Sequence, residues 1–456
     1  MSHDHAAELR RTLGFKDLVL LTLGTVIGSG IFIVPGVVLR QTDAHLGVAL
    51  TVWTVGGIVS FLGALTYAEL GAMNPEAGGL YAYIRDAFGP LPAFLYGWAS
   101  ILVIASGSVA TLAVAFSGYL GQLFPIGAVA AKLVSVLMII IIGFVNVRGT
   151  KESATLENWT TSAKVVGLLL VGGALIAAGR GGQEVATTWP TGVSGSVLSG
   201  AGAAMIGVLW AYEGWQYVTF SAGETRDPQR VFPRAIAVAT FALIVLYLLA
   251  NAGYVAAVGS IAAAKSDHIA ADATGAVFGP TAAKLLTILV LVSIFSAANG
   301  IMMTAPRLYY SMARDGVFFS RLARVNARFG TPAWAILLLS IWSALLAITG
   351  TFEQLLTYVV FAGWIFYGLG ALSIFASRRK WPNAVRPFRT PGYPLTPLLF
   401  AVAAALLVLN TLRVQPFQAI IGLVVVLLGT PAFYVWRART RRTPPSEPAS
   451  PEPLSL

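Results

Sequence analysis

Apolar stretches of helix-spanning length, separated by short polar and basic segments, recur along almost the whole chain. About 20 apolar residues cross roughly 30 Å of hydrocarbon as a helix. Twelve windows meet that length: Phe15–Leu39, Val48–Met73, Leu91–Leu120, Ile126–Val147, Leu156–Ala178, Val197–Ala222, Pro233–Gly259, Thr281–Tyr310, Pro332–Gly350, Gln354–Ala376, Leu395–Leu412 and Phe417–Trp436. The pattern predicts an all-α polytopic membrane protein of about 12 transmembrane helices. No polar stretch exceeds about 30 residues, too short to build a separate core, so one membrane domain is expected.

Composition agrees. Hydrophobic residues make up 57% and charged residues 11%, against the roughly 25% charged of soluble domains, and mean hydropathy is +0.76. A soluble enzyme is excluded. A net charge of +11 and a pI near 9.9 raise nucleic acid as a partner, but the position of the charge decides otherwise. With a cytoplasmic N-terminus, 23 of the 30 Lys and Arg residues fall in inner segments, six fall outside and Lys164 lies within a span. This is the positive-inside asymmetry. It predicts a multi-pass protein of the plasma (inner) membrane with both termini cytoplasmic, and no nucleic acid. The first apolar run exceeds signal-peptide length and lacks a small-residue cleavage site, so it reads as a retained helix. Residues 1–14 are a cytoplasmic N-terminus. Residues 438–456, rich in Pro, Ser and Glu, are expected to be a disordered tail.

The chain has no cysteine, and its four histidines, His3, His5, His45 and His268, sit near predicted ends or loops. Disulfides, thiolate sites, an intramembrane metal cluster and a Ser-His-Asp constellation are thereby excluded, and no cofactor is expected. A channel would need more membrane carboxylates to line its pore.

Two glycine clusters stand out. Gly28-Ser29-Gly30 interrupts the first window, followed by Pro35-Gly36, and Trp210-Ala211-Tyr212-Glu213-Gly214-Trp215 places a carboxylate and a glycine in the middle of the sixth. The two windows are five apart, where a five-plus-five inverted repeat puts equivalent helices, and Gly-interrupted segments at matching positions point to a transport site. A broken helix offers free N–H groups and a positive half-helix end to a carboxylate, and free carbonyls to an ammonium. Together the breaks form a receptor for a zwitterion. Glu213 and Lys164 are read as the two charged side chains at the bilayer centre, where charge is costly and faces a cavity or a partner. For each, a structural hydrogen bond or ion pair is the alternative.

Four motifs give the chain a resemblance to the amino acid–polyamine–organocation superfamily, and within it to the L-type amino acid transporters and their bacterial relatives. They are Gly24 to Phe32 (GTVIGSGIF); Pro75 to Tyr83 (PEAGGLYAY) with Ala87-Phe88-Gly89-Pro90; Trp210 to Trp215 (WAYEGW); and Arg386-Pro387-Phe388-Arg389 with Pro391-Gly392-Tyr393-Pro394. The resemblance covers roughly Leu13 to Trp436. It implies a leucine-transporter-type fold with 15–179 and 197–377 as inverted repeats, broken helices one and six, and 394–437 as two accessory helices.

By the same resemblance, the substrate carboxylate meets Ile27, Gly28, Ser29, Gly30 and Ile31, and its amino group meets carbonyls near Trp210, Ala211, Tyr212, Glu213 and Gly214. Trp210 is the lid, Lys164 stands where sodium-coupled relatives hold an ion, and Tyr254 and Asn299 support or gate the site. Lys164 serves either as a fixed surrogate cation or as a proton carrier. Glu213, glycine in many animal members, either favours cationic substrates or braces the break. The implied function is sodium-independent transport of neutral L-amino acids, by exchange. Proton symport and transport of cationic amino acids or polyamines are the alternatives, and a transporter-fold sensor is a remote one. A pocket of Ile31, Trp210, Ser106 and Ser108 is expected. Without cysteine, no disulfide-linked subunit is expected.

Overall fold

The computed structural model of the protein describes residues 11–179, 188–192 and 195–442, with side chains as far as 438. Among these residues the regular elements are helices, and one isolated bridge joins Leu13 to Thr225. In chain order they are α1 (Phe15–Val26), α2 (Gly30–Gln41), α3 (Leu46–Met73), α4 (Leu80–Phe88), α5 (Pro90–Ala99), α6 (Ala105–Leu123), α7 (Ala128–Arg148), α8 (Thr150–Ala178), α9 (Gly195–Ala211), α10 (Pro228–Val258), α11 (Ser260–Lys265), α12 (Ile269–Phe278), α13 (Pro280–Thr304), α14 (Pro306–Arg314), α15 (Ala333–Thr349), α16 (Phe352–Lys380), α17 (Leu395–Val414) and α18 (Pro416–Arg442).

Ten helical runs among the described residues are long and apolar enough to cross a membrane, and α1 with α2, bent by 44°, makes an eleventh. The remaining predicted window is α15, a shorter apolar helix of 17 residues. Two windows are less regular than their hydropathy suggests. The third winds through a π turn at Ser100–Ile104 between α5 and α6, and the eighth is interrupted at Ala305, because Pro306 has no N–H for an i−4 bond. The last window also ends later than expected: α18 continues past Trp436 to Arg442, and the rest of the predicted tail lies outside the described residues.

Helices α1 and α8 pack on each other and both pack on α10 and α13, and α9 packs on α2 and α3. This buries α1, whose residues from Leu21 to Val26 are all inaccessible. By contrast, Leu133, Leu137, Ile140 and Phe144 on α7 and Leu406 and Leu409 on α17 are exposed, as apolar side chains facing lipid would be. The second and fourth motifs act as anchors. Gly78 and Gly79 adopt φ of 104° and 42°, a turn that side chains resist, and launch α4, whose Tyr81 and Arg85 bind Asp315 at 2.8 and 2.9 Å. Glu69 on α3, fully buried, accepts from Arg378 at 2.9 and 2.8 Å and from the Thr390 N–H at 2.7 Å, clamping the segment between α16 and α17.

Candidate functional site

The first break is three residues long. Gly28 N–H turns back to the Val26 carbonyl at 2.8 Å, which leaves the helical ladder and frees the carbonyls at the end of α1. The Lys164 ammonium on α8, fully buried, donates to Gly24 O at 2.5 Å, Ile27 O at 2.8 Å and Ser293 O at 3.4 Å. Ser293 of α13 adds a bond from its hydroxyl to Ile27 O at 2.8 Å. An ammonium has three protons to donate, and these three carbonyls account for them. Beyond the break, the Phe32 N–H bonds back to the Ser29 carbonyl at 3.1 Å, and the N–H groups that start α2 carry the positive end of its dipole.

The second break lies alongside. Helix α9 ends at Ala211, a turn through Glu213 follows, and a 3₁₀ helix runs from Trp215 to Glu224. Gly214 has φ of 130°, and a β-carbon there would lie 2.9 Å from the Thr25 carbonyl group. Gly30 is equally confined, since its β-carbon would stand 2.7 Å from Ala211 Cα. Each break thus touches the other through a glycine. The Tyr247 hydroxyl on α10 lies 3.1 Å from Val26 O and 2.9 Å from Ala211 O, so one side chain reaches the last carbonyl of α1 and of α9.

Between the breaks is a cavity of about 20 Å³ bordered by Ser29, Gly30, Ser108, Trp210, Glu213 and Tyr217. It holds about one water, too little for an amino acid. Glu213 accepts from the Tyr367 hydroxyl at 2.8 Å and from Gln216 at 3.4 Å through Oε1, while its buried Oε2 has no hydrogen-bond partner. Larger cavities border the two ends of the bundle. One, about 660 Å³, has Val34, Arg40, Ile206 and Phe352 in its wall, and the other, about 370 Å³, has Arg11, Arg85 and Asp315.

The structure brings together most of the residues singled out from the sequence. Ile27, Gly28 and Ser29 form the first break with Gly30 opening α2 beside it, and Glu213 and Gly214 lie in the second, with Trp210 and Ala211 closing α9 beside it. Ile31 is fully buried in the core, and Tyr212 turns toward α3, 5.8 Å from the Trp53 ring. Of the expected serines only Ser108 borders the cavity; Ser106 bonds to the Ile101 carbonyl at the π turn instead. Tyr254 is buried with its hydroxyl unpaired, and Tyr247, two turns earlier, holds the breaks. Asn299 turns to α8 and donates to Glu157 at 2.8 Å. Beside Glu213 and Lys164, the charged residues Glu157, Glu69, Glu224 and Arg307 are also buried within the protein. Each lies near a predicted window edge. Glu157 had one available signal: it precedes Lys164 by two helical turns, hence on the same face.

Gly30→Leu is expected to abolish transport. The added side chain collides with the backbone of Ala211, where nothing flexible can yield, and loss of uptake by an otherwise folded, monodisperse variant is the measurement.

The profile of the family described as amino acid permease matches residues 13–431. The chain is 31% identical over 446 residues to the "Cystine/glutamate transporter" of Homo sapiens, covering 95% of this chain and 87% of that one. It is 32% identical over 435 residues to the "b(0,+)-type amino acid transporter 1" of Homo sapiens, covering 93% and 88%. With the "Serine/threonine exchanger SteT" of Bacillus subtilis it shares 28% identity over 443 residues, covering 96% and 99%.

Proposed function

Because this chain belongs to the amino acid permease family and is an amino acid transporter rather than an enzyme, we propose that it exchanges neutral L-amino acids across the plasma membrane, without sodium, by alternating access. The observation that carries this reading is Lys164: a fixed ammonium already satisfies the carbonyls at the first break, where a coupling cation would otherwise be required. The substrate carboxylate takes the first-turn N–H groups of α2, its ammonium takes carbonyls at the end of α9, and Trp210 covers it.

The transport fold is a five-plus-five inverted repeat of twelve spans, with α15 as the ninth. In its support, helices five apart pack together: α2 on α9, α3 on α10, α6 on α13 and α7 on α15. The basic-residue asymmetry supports cytoplasmic termini, and on that reading the cavity beside Arg11 is the inner one. With no cysteine in these 456 residues, the transporter is proposed to work without a disulfide-linked subunit.

The test uses purified protein in sodium-free liposomes, following labelled alanine and leucine into empty or amino-acid-loaded vesicles, with and without an inward proton gradient. Uptake only into loaded vesicles supports exchange. Gradient-driven uptake into empty vesicles replaces it with proton symport.

A second reading concerns substrate charge. Glu213 borders the cavity with Oε2 unpaired, and an unpaired buried acceptor favours a substrate that brings a donor. On that reading lysine and arginine compete with labelled leucine, and Glu213→Gln weakens their competition at least tenfold while sparing leucine. Equal competition before and after the substitution leaves Glu213 as a brace.

A further inference from the structure

Glu157 is fully buried on α8, and its carboxylate is ringed by donors. Ser296 approaches Oε1 at 3.0 Å and Thr161 at 3.3 Å, and Asn299 donates to Oε2 at 2.8 Å. The Asn299 amide is oriented for this role, because its oxygen accepts from Asn146 at 2.9 Å and from Ser153 at 3.2 Å. Its NH₂ group therefore faces Glu157. An array of this kind suits an ionised carboxylate, which only accepts.

Glu157 also flanks the same glycine as Lys164. A β-carbon on Gly24 would fall 2.0 Å from Glu157 Oε1, while the carbonyl of Gly24 receives the Lys164 ammonium. One residue of α1 thus lies between a buried anion and a buried cation two turns apart on α8. Among the described groups, Lys164 is the charged side chain facing Glu157 from its own helix, and α13 presents only the hydroxyl of Ser296 and the amide of Asn299. A buried charge without a partner is strongly disfavoured. Each of these two groups is the counter-charge for the other.

We propose that Glu157 is a positioning residue for transport: an ionised carboxylate that keeps Lys164 an ammonium on the carbonyls of α1. This rests on the proposal that Lys164 acts as the fixed cation of an exchanger. As α1 moves to expose the inner side, the carbonyls of Gly24 and Ile27 leave the ammonium, so Lys164, kept charged by Glu157, holds the inner half of the broken helix closed between turnovers.

Two measurements test it. In infrared difference spectra of purified protein at neutral pH, subtracting Glu157→Gln from wild type is expected to show no carbonyl-stretch band of a protonated carboxyl. The same subtraction in a Lys164→Met background is expected to show one, because the carboxylate takes up a proton once its counter-charge is gone. A protonated band already present in wild type, or none in the Lys164→Met background, overturns the proposal. In loaded liposomes, Glu157→Gln is expected to lose exchange at least tenfold more steeply than wild type as pH rises from about 6.5 to 8.5, with Glu157→Asp restoring the wild-type profile. A Glu157→Gln profile parallel to wild type also overturns the proposal. Absence of wild-type exchange alongside the expected infrared bands counts against the exchanger reading and leaves the charge pair standing.

Discussion

Lys164→Ala is expected to reduce exchange in loaded liposomes to the level of protein-free vesicles. The ammonium is the shared donor of Gly24 O and Ile27 O, and it also reaches Ser293 O. Removing it takes the ammonium from the Gly24 carbonyl at the end of α1 and leaves Ile27 O with the Ser293 hydroxyl alone. A buried acceptor left without its donor costs about 1–3 kcal/mol, and that cost falls on the segment proposed to receive the substrate carboxylate. Ser293 and Tyr247 still hold Ile27 O and Val26 O, so a folded protein with a slack break is the expected outcome. Gel filtration and far-ultraviolet circular dichroism check the fold, and labelled uptake checks the function. Exchange at more than about a tenth of the wild-type rate would remove Lys164 from the coupling site.

Arg307→Ala is expected to have the larger effect on stability. Arg307 and Glu224 are 1% and 2% exposed and meet at 2.7 Å, with a second contact at 3.2 Å. The guanidinium also reaches Thr150 at the start of α8 at 2.9 Å, and the carbonyl of Met303. The backbone of Glu224 continues the lock, since its carbonyl accepts from Thr12 and Leu13 at 2.9 and 3.0 Å. One ion pair therefore joins the segment before α1, the end of the second break, α8 and the α13–α14 corner. Truncation leaves an uncompensated carboxylate in that corner, at about 3–5 kcal/mol, a large fraction of the 5–15 kcal/mol that typically separates folded from unfolded. Arg307→Ala should fail to accumulate or should melt well below wild type. Arg307→Met with Glu224→Gln, which removes both charges, should recover most of the loss. Equal melting of Arg307→Ala and wild type would show that the pair contributes nothing.

Much of this protein was legible in one dimension because bilayer insertion is a local property. A run of apolar residues crosses hydrocarbon by its own length and composition, so Leu46–Met73 or Ala128–Arg148 can be read without knowing their neighbours. The same holds for the breaks. Gly28-Ser29-Gly30 and Glu213-Gly214 interrupt apolar runs five windows apart, and glycine there admits the close approach to Ala211 and Thr25 found in the fold. Lys164 stood out because a cation within a span has no bland environment to occupy.

Composition and local pattern thus determined the fold class, the windows, the two breaks and the lone cation of the fifth span. Only the tertiary structure decided what meets them. Lys164 reaches Gly24 across 140 positions of sequence and Ser293 reaches Ile27 across 266; no periodicity encodes such pairings. Glu157 lies at the edge of an apolar window, and only the packing of α13, which supplies Ser296 and Asn299, encloses its carboxylate. Tyr247 and Tyr254 share one face of α10, and the packing of that helix on α1 selects which hydroxyl finds the last carbonyls of α1 and α9. Hydrophobicity is summed along the chain, whereas desolvation of a charge and the supply of its hydrogen-bond partners depend on which helices surround it.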